Sequence, residues 1–182
     1  TAAFNVRFNA ATVHRLIHWF NLRVFAELDN PDYLIALQKH LNATELIVID
    51  EISMVSAKLF ADMDMKLRQV IRDVGASKKE QGIDRPFGGL NIICCGDFWQ
   101  LEPPDGGFVA DIPTEYIRNV REFVPLPTIA HGQSLMWSGN LTGMQGVTEL
   151  VECEWCDDVW LRAVQEELRN GELSQENHDF IH

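Results

Sequence analysis

No run of apolar residues in this 182-residue chain approaches the ~20 needed to cross a bilayer as a helix. No charged-then-apolar leader with a small-residue cleavage site opens it either. An intracellular protein is expected, with nucleus, mitochondrion or another compartment left open. Four cysteines in that setting do not read as a disulfide framework. Basic residues are scarce: 15 Lys and Arg stand against 27 Asp and Glu, a net charge of −12. A nucleic-acid binder favours a basic footprint, but the deficit is local. Residues 1–89 hold 11 of each sign, and the whole excess lies in residues 90–182, with 4 basic and 16 acidic. Also missing is G-x-x-x-x-G-K-[ST], the loop whose backbone N–H groups and lysine hold β- and γ-phosphates; no Gly-Lys dipeptide occurs at all. The first residue is Thr rather than Met, so a fragment is expected, of one domain or of one domain and part of another.

What is present begins with Leu46-Ile47-Val48-Ile49-Asp50-Glu51. A short β-branched run of this kind predicts a strand buried on both faces, as in a parallel sheet. The two carboxylates then sit at the strand end, the edge where open α/β sheets bind ligands. There the first suits a Mg²⁺ ion, directly or through water, and the second suits an attacking water. The plainer alternative is a pair of acids that reach solvent at the strand tip. A second apolar run, Leu90 to Cys95, leads into Gly96-Asp97-Phe98-Trp99-Gln100-Leu101. Between the runs, Val55, Leu59, Met63, Leu67, Val70, Ile71 and Val74 recur at helical spacing. Strand, helix and strand predict a right-handed βαβ crossover, with parallel strands sharing one edge. Gln100 is suited to sense a γ-phosphate or water near Asp50 and Glu51, and Gly96 would permit a tight turn.

Asp50 to Val55 (DEISMV), Pro86 to Gly89 (PFGG) and Gly96 to Leu101 (GDFWQL) resemble the petite-integration-frequency (PIF-type) DNA helicases of superfamily 1, which are RecD-like. Ala11-Thr12-Val13-His14 is similar to that family's motif along single-stranded DNA, and Val147 to Gly171 to the opening of its second RecA-like domain. The resemblance implies an incomplete α/β fold: a three-layer P-loop NTPase (RecA-like) parallel sheet with flanking helices. Residues 1–140 would be the first RecA-like domain without its phosphate loop, and residues 141–182 the start of the second, with its first strand and helix. It implies ATP-dependent 5′-to-3′ unwinding in DNA repair, recombination and telomere maintenance. Partners would be ATP with Mg²⁺, single-stranded DNA and forked duplex DNA, with no membrane and a monomeric protein. Asp50 would bind Mg²⁺; Glu51 and Gln100 would be catalytic; Asp50, Asp97 and Gln100 would contact the nucleotide; Thr12 and His14 would line the DNA path. The isolated piece would be inactive.

Two departures stand out. Glu102 intervenes before Pro103-Pro104, and Trp155 falls where the family has an arginine that reaches the γ-phosphate. Trp supplies no cationic fork. The alternative is therefore a degenerate, non-catalytic DNA-binding or interaction module.

The remaining polar motifs weigh less. Cys153-x-x-Cys156 and His178-x₃-His182 are 21 residues apart, beyond the usual 12 to 15 of a zinc finger. A helix is expected in that gap, capped by Asp157 or Asp158, with Leu161, Val164 and Leu168 on its apolar face and Gly171 past its end. Cys94 and Cys95 read as small core residues. His14 and His18 lack the Glu that zinc proteases place after the first histidine, and Thr12 reads equally as a helix N-cap. Asn30-Pro31-Asp32 predicts a helix start with Leu34, Leu37 and Leu41 as its stripe. Residues 78–89 and 103–107 read as loops, and the stretch from there to about 146 as irregular, with Phe123, Met136 and Trp137 as packing anchors.

Overall fold

A computed structural model describes residues 32, 35, 38, 39, 41, 44–73, 79–80, 83–111, 127–138, 143–151 and 156–181. The chain divides into two compact units, Thr1–Gln145 and Gly146–His182.

In the first unit β1 (Leu46–Ile49) lies parallel to β4 (Asn91–Cys94), with Leu46 opposite Asn91 and Ile49 opposite Cys94. Helix α1 (Ala57–Asp73) joins them, giving the expected strand–helix–strand order. The helical stripe is as spaced: Met63, Leu67 and Val70 are fully buried, and Val55 and Ile71 nearly so. Together with Phe60 they form one cluster with Ile47 and Ile49 on the inner sheet face. Burying such a side chain stabilises by about 1.5–3 kcal/mol, so this seam carries the unit. Val74 lies outside the described residues.

Three expectations need correction. The strand β1 is buried on one face only, because Ile47 and Ile49 face α1 while Leu46 and Val48 stay 47% and 58% exposed. Ile93 of β4 shares that open side at 48%. Among the described residues helices cover only the inner face, so the continuous apolar run reads as alternation. Residues 78–89 are not all loop: β2 (Lys79–Glu80) pairs antiparallel with β3 (Ile83–Asp84). The stretch thought irregular contains helix α2 (Pro127–Trp137), which starts on a proline as a first helical residue should. It packs on α1 so closely that a Cβ on Gly132 would stand 1.8 Å from the Ala57 carbonyl oxygen.

The start of α1 explains how loop 103–107 is held. Ser56 caps the helix by accepting the Leu59 N–H on its Oγ at 3.2 Å. The next free donors, Ala57 N–H and Lys58 N–H, go to the carbonyls of Gly107 and Gly106 at 2.9 and 3.0 Å. Both glycines have positive φ, and a Cβ on either would press into Ser56 or Ile129. The turn-rich stretch after Leu101 is therefore fastened to the helix N-terminus.

In the second unit α3 (Val159–Arg169) is capped by Asp158, whose Oδ1 accepts the Leu161 N–H at 3.0 Å. It ends at Gly171, φ 72, where the Glu172 N–H returns to the Glu167 carbonyl. Val164 is buried, whereas Leu161 and Leu168 are 39% and 57% exposed. A further helix, α4 (Gln175–Ile181), pairs Asn177 with the Trp160 indole N–H at 2.8 Å and Phe180 with its ring. Among the described residues the strand expected near residue 147 is not formed: residues 144–151 have no regular structure, and Val147, Leu150 and Val151 are over 80% exposed. A strand needs a neighbour for its backbone groups, and the described residues offer none.

Candidate functional site

The ends of β1 and β4 are stitched together by their backbones. The Cys95 N–H donates to the Ile49 carbonyl at 2.8 Å, and the Ile52 N–H donates to the Cys95 carbonyl at 3.0 Å. Asp50 and Glu51 form the arch between these two bonds. Gly96 lies directly against it, because a Cβ there would meet the Ile52 nitrogen at 2.8 Å. The two motifs thus share one sheet edge at a separation that only glycine allows at position 96.

Both carboxylates are exposed. Asp50 turns back on its own chain, accepting the Glu51 N–H on Oδ1 at 3.0 Å. Glu51 adopts left-handed backbone, φ 54 and ψ 49, and its side chain caps nothing. For a non-glycine residue that conformation is uncommon and strained, and such strain clusters at functional sites. Ile52–Met54 then forms a short 3₁₀ turn that leads to α1.

On the other strand Asp97 closes a tight turn. Its Oδ1 accepts the Trp99 N–H at 3.0 Å, and its carbonyl accepts the Gln100 N–H at 3.1 Å. Phe98 points inward, with its ring 6.0 Å from Phe108 and 5.9 Å from Trp137. Trp137 is anchored in turn by donating its indole N–H to the Val109 carbonyl at 2.8 Å, so it packs as expected. Gln100 is exposed beside Trp99 and Leu101, which are 79% and 77% exposed. The structure thus brings Asp50, Glu51, Asp97 and Gln100 to one edge. Thr12, His14, His18 and Trp155 lie outside the described residues, as do Cys153 and His182 of the two metal-like pairs.

Among the described residues no three His, Cys, Asp or Glu side chains gather as a metal site. An exposed Asp50 still fits Mg²⁺, which is held by one or two carboxylates with water and phosphate completing its shell. Cys94 is half-buried, its thiol pushed up to about 12 by burial and by the neighbouring Cys95. Cys95 itself is exposed on the open sheet face, contrary to the expectation of a core residue.

One cluster was not anticipated. Asp64 of α1, with its side chain 1% exposed, takes both Arg68 Nε contacts at 2.8 and 2.9 Å and His131 Nε2 of α2 at 2.8 Å. It also accepts the N–H of Phe87, within the Pro86–Gly89 turn. Burial pushes its pKa up, but the hydrogen bonds from His131, Arg68 and Phe87 outweigh that and hold it below the ordinary 3.8. An aspartate on the inner side of a helical stripe was the available signal.

Comparison with known proteins adds the following. Residues 34–107 match the PIF1-like helicase family. The chain is 44% identical over 71 residues to the ATP-dependent DNA helicase PIF1 of Trypanosoma brucei brucei, covering 37% of this chain and 7% of that protein. It is 49% identical over 61 residues to the human ATP-dependent DNA helicase PIF1, covering 34% and 8%. The chain therefore spans under a tenth of the length of these relatives. Among solved structures it resembles a Bacteroides Pif1 helicase in complex with ADP-AlF3 and ssDNA, at TM-score 0.57 and 22% identity, covering 96% of this chain and 36% of that one. That likeness gives the fold: part of a RecA-like P-loop NTPase.

Proposed function

We propose that the chain belongs to the PIF1-like helicase family, whose model its residues 34–107 match, and that the protein it forms part of is an ATP-dependent DNA helicase. In this reading it moves 5′ to 3′ along single-stranded DNA and opens forked duplexes in repair, recombination and telomere maintenance. The relatives' names and the solved neighbour bound to ssDNA support its coarser part, an ATP-dependent helicase acting on DNA. The observation that carries it is the stitched edge, where the Ile52 N–H to Cys95 carbonyl bond holds Asp50-Glu51 against Gly96 to Gln100.

In this reading Asp50 would hold Mg²⁺, which would supply neutralisation of phosphate charge. Glu51, exposed and on left-handed backbone, orients the attacking water and accepts its proton. Gln100 hydrogen-bonds the γ-phosphate or that water, and Asp97 keeps the turn that presents Gln100. Thr12 and His14 line the DNA path, and residues 141–182 open the second RecA-like domain. The phosphate loop and the rest of that domain come from sequence outside these residues.

The test is phosphate release in that longer protein with Mg²⁺-ATP and single-stranded DNA. Glu51→Gln should abolish hydrolysis and leave ATP bound, whereas Asp50→Ala should weaken Mg²⁺-nucleotide binding too. Normal turnover in Glu51→Gln would remove Glu51 from the mechanism. Trp155 in place of the family's arginine favours a second reading, a relative that binds DNA without turnover. ATP and DNA binding with no hydrolysis in the unaltered protein would select it.

A further inference from the structure

Asp64 is separated along the chain from every residue of the stitched edge, yet it holds three parts of the scaffold that build that edge. Its partners are Arg68 on its own helix, the Phe87 N–H in the turn before β4, and His131 on α2. Helix α1 starts just after the Asp50-Glu51 arch, β4 ends at Cys94, and α2 carries Trp137 beneath Phe98.

The turn it grips is strained. Phe87, Gly88 and Gly89 all have positive φ, at 53, 65 and 84. A left-handed phenylalanine is unfavourable, since its Cβ crowds the following carbonyl oxygen. It persists here because its N–H is tied to the Asp64 carboxylate and its ring is buried 5.1 Å from Phe60. Gly88 is pressed on the same helix, where a Cβ would meet the Leu67 carbonyl at 2.7 Å. Directly after the turn, the Leu90 N–H returns to the Phe87 carbonyl and Asn91 enters register opposite Leu46. The position of β4 along β1 is thus fixed by where this turn meets α1.

We propose that Asp64 is a positioning residue for the candidate nucleotide site, setting the register at which β4 delivers Gly96 to Gln100 against Asp50 and Glu51. This rests on the proposed function for the catalytic consequence, but not for the structural one. When the carboxylate is removed, Phe87 relaxes toward negative φ and the turn lifts from α1. The strain then passes down β4 to the two bonds that join Cys95 with Ile49 and Ile52. His131 contributes by tying α2, and with it the Phe98–Trp137 packing, to the same carboxylate. His131, Arg68 and the Phe87 N–H together keep that carboxylate ionised inside the core, since a buried charge is retained only when paired and hydrogen-bonded.

The experiment compares Asp64→Ala and the milder Asp64→Asn with Val70→Ala in the longer protein. Val70 is fully buried on the same helix, so its truncation lowers stability while leaving the Asp64 carboxylate and its hydrogen bond to Phe87 in place. Amide hydrogen exchange reads Ile52 and Cys95 directly. The Asp64 variants should lose protection there at least roughly tenfold beyond the loss in Val70→Ala, a local opening rather than a global one. Equal losses at matched stability would overturn the proposal, whether or not the protein hydrolyses ATP. Where it does, kcat should fall by up to about 10²-fold, as small misplacements of reacting groups do. KM for ATP should change little, and Asp64→Asn, which keeps an acceptor for Phe87, should recover part of the rate. If the unaltered protein binds no Mg²⁺-ATP, the functional reading fails, while the exchange result still decides the role of Asp64.

Discussion

Replacing Glu51 with glycine should make the protein more stable and, in the proposed function, inactive. Glu51 sits at φ 54 and ψ 49, and its exposed side chain caps nothing. A left-handed L-residue costs about 1–2 kcal/mol, whereas glycine adopts that region freely. Glycine also loses more chain entropy on folding, roughly 0.5–1 kcal/mol, which offsets part of the gain. A net stabilisation of about 0.5–1 kcal/mol is expected. With an m-value near 2 kcal/mol/M, that moves a urea midpoint upward by about 0.3–0.5 M. Glu51→Gln is the control, since it keeps the strain and removes only the charge; its midpoint should stay with that of the unaltered chain. Glu51→Asn, a residue enriched in left-handed backbone, should fall between the two. A glycine variant less stable than the glutamine variant would refute the reasoning, because the arch would then hold the residue by contacts that outweigh the strain. The expected outcome gives a stability–function conflict at one position, which a purely structural acid would not produce.

Gly132→Ala should destabilise by about 1–3 kcal/mol or more, the range for overpacking, because its Cβ would lie 1.8 Å from the Ala57 carbonyl oxygen; a urea midpoint matching the unaltered chain would mean the helices are not so close. The Asp64 pKa is held below the ordinary 3.8, so its ionised form contributes stability that is fully present above that value. This contribution is lost as the pH falls below 3.8 through the folded value, so the stability gap to Asp64→Asn should be flat above it and narrow below. In a Cys153→Ser, Cys156→Ser background at pH 8, iodoacetamide should label exposed Cys95 and spare Cys94, whose thiol is pushed up to about 12; mass spectrometry reads the site, and comparable labelling of both would contradict the burial of Cys94.

The parts of this molecule legible in its sequence are those set by local pattern. The period of Val55 to Ile71 placed α1, the β-branched run placed β1, and Asp158 and Gly171 bounded α3, because caps and turns act within a few residues. Helix α2 escaped. Pro127-Thr128-Ile129-Ala130-His131-Gly132 offers a proline and a glycine where a reader expects a break. The glycine is there because α1 passes too close for any side chain, and that requirement lies in another element. The open face of β1 escaped for a related reason, since a run such as Leu46 to Ile49 is written the same way whether one layer or two cover it.

The acidic residues that matter most, Asp50, Glu51 and Asp64, show where the limit of such reading falls. Asp50 and Glu51 could be singled out because they end an apolar run at a strand tip, where charge has to be explained. Asp64 stands inside an amphipathic helix, Ala61-Asp62-Met63-Asp64-Met65, where an aspartate ordinarily means a solvent face. Asp62 is buried as well, but its partner is local: it pairs with Lys58 one turn back at 3.1 Å. Asp64, two residues on, instead faces a backbone N–H 23 positions away and a histidine 67 positions away. The local sign is only that Asp64 shares a helical stripe with Leu67 and Ile71. The fold supplies the partners, by bringing Phe87 and His131 to the same side of α1. A carboxylate that meets partners from three elements has to be ionised and buried at once, and its cost is accepted only where those elements need a fixed relative position. That is the physical ground for linking Asp64, which touches no nucleotide, to the geometry of the edge where Glu51 and Gln100 meet.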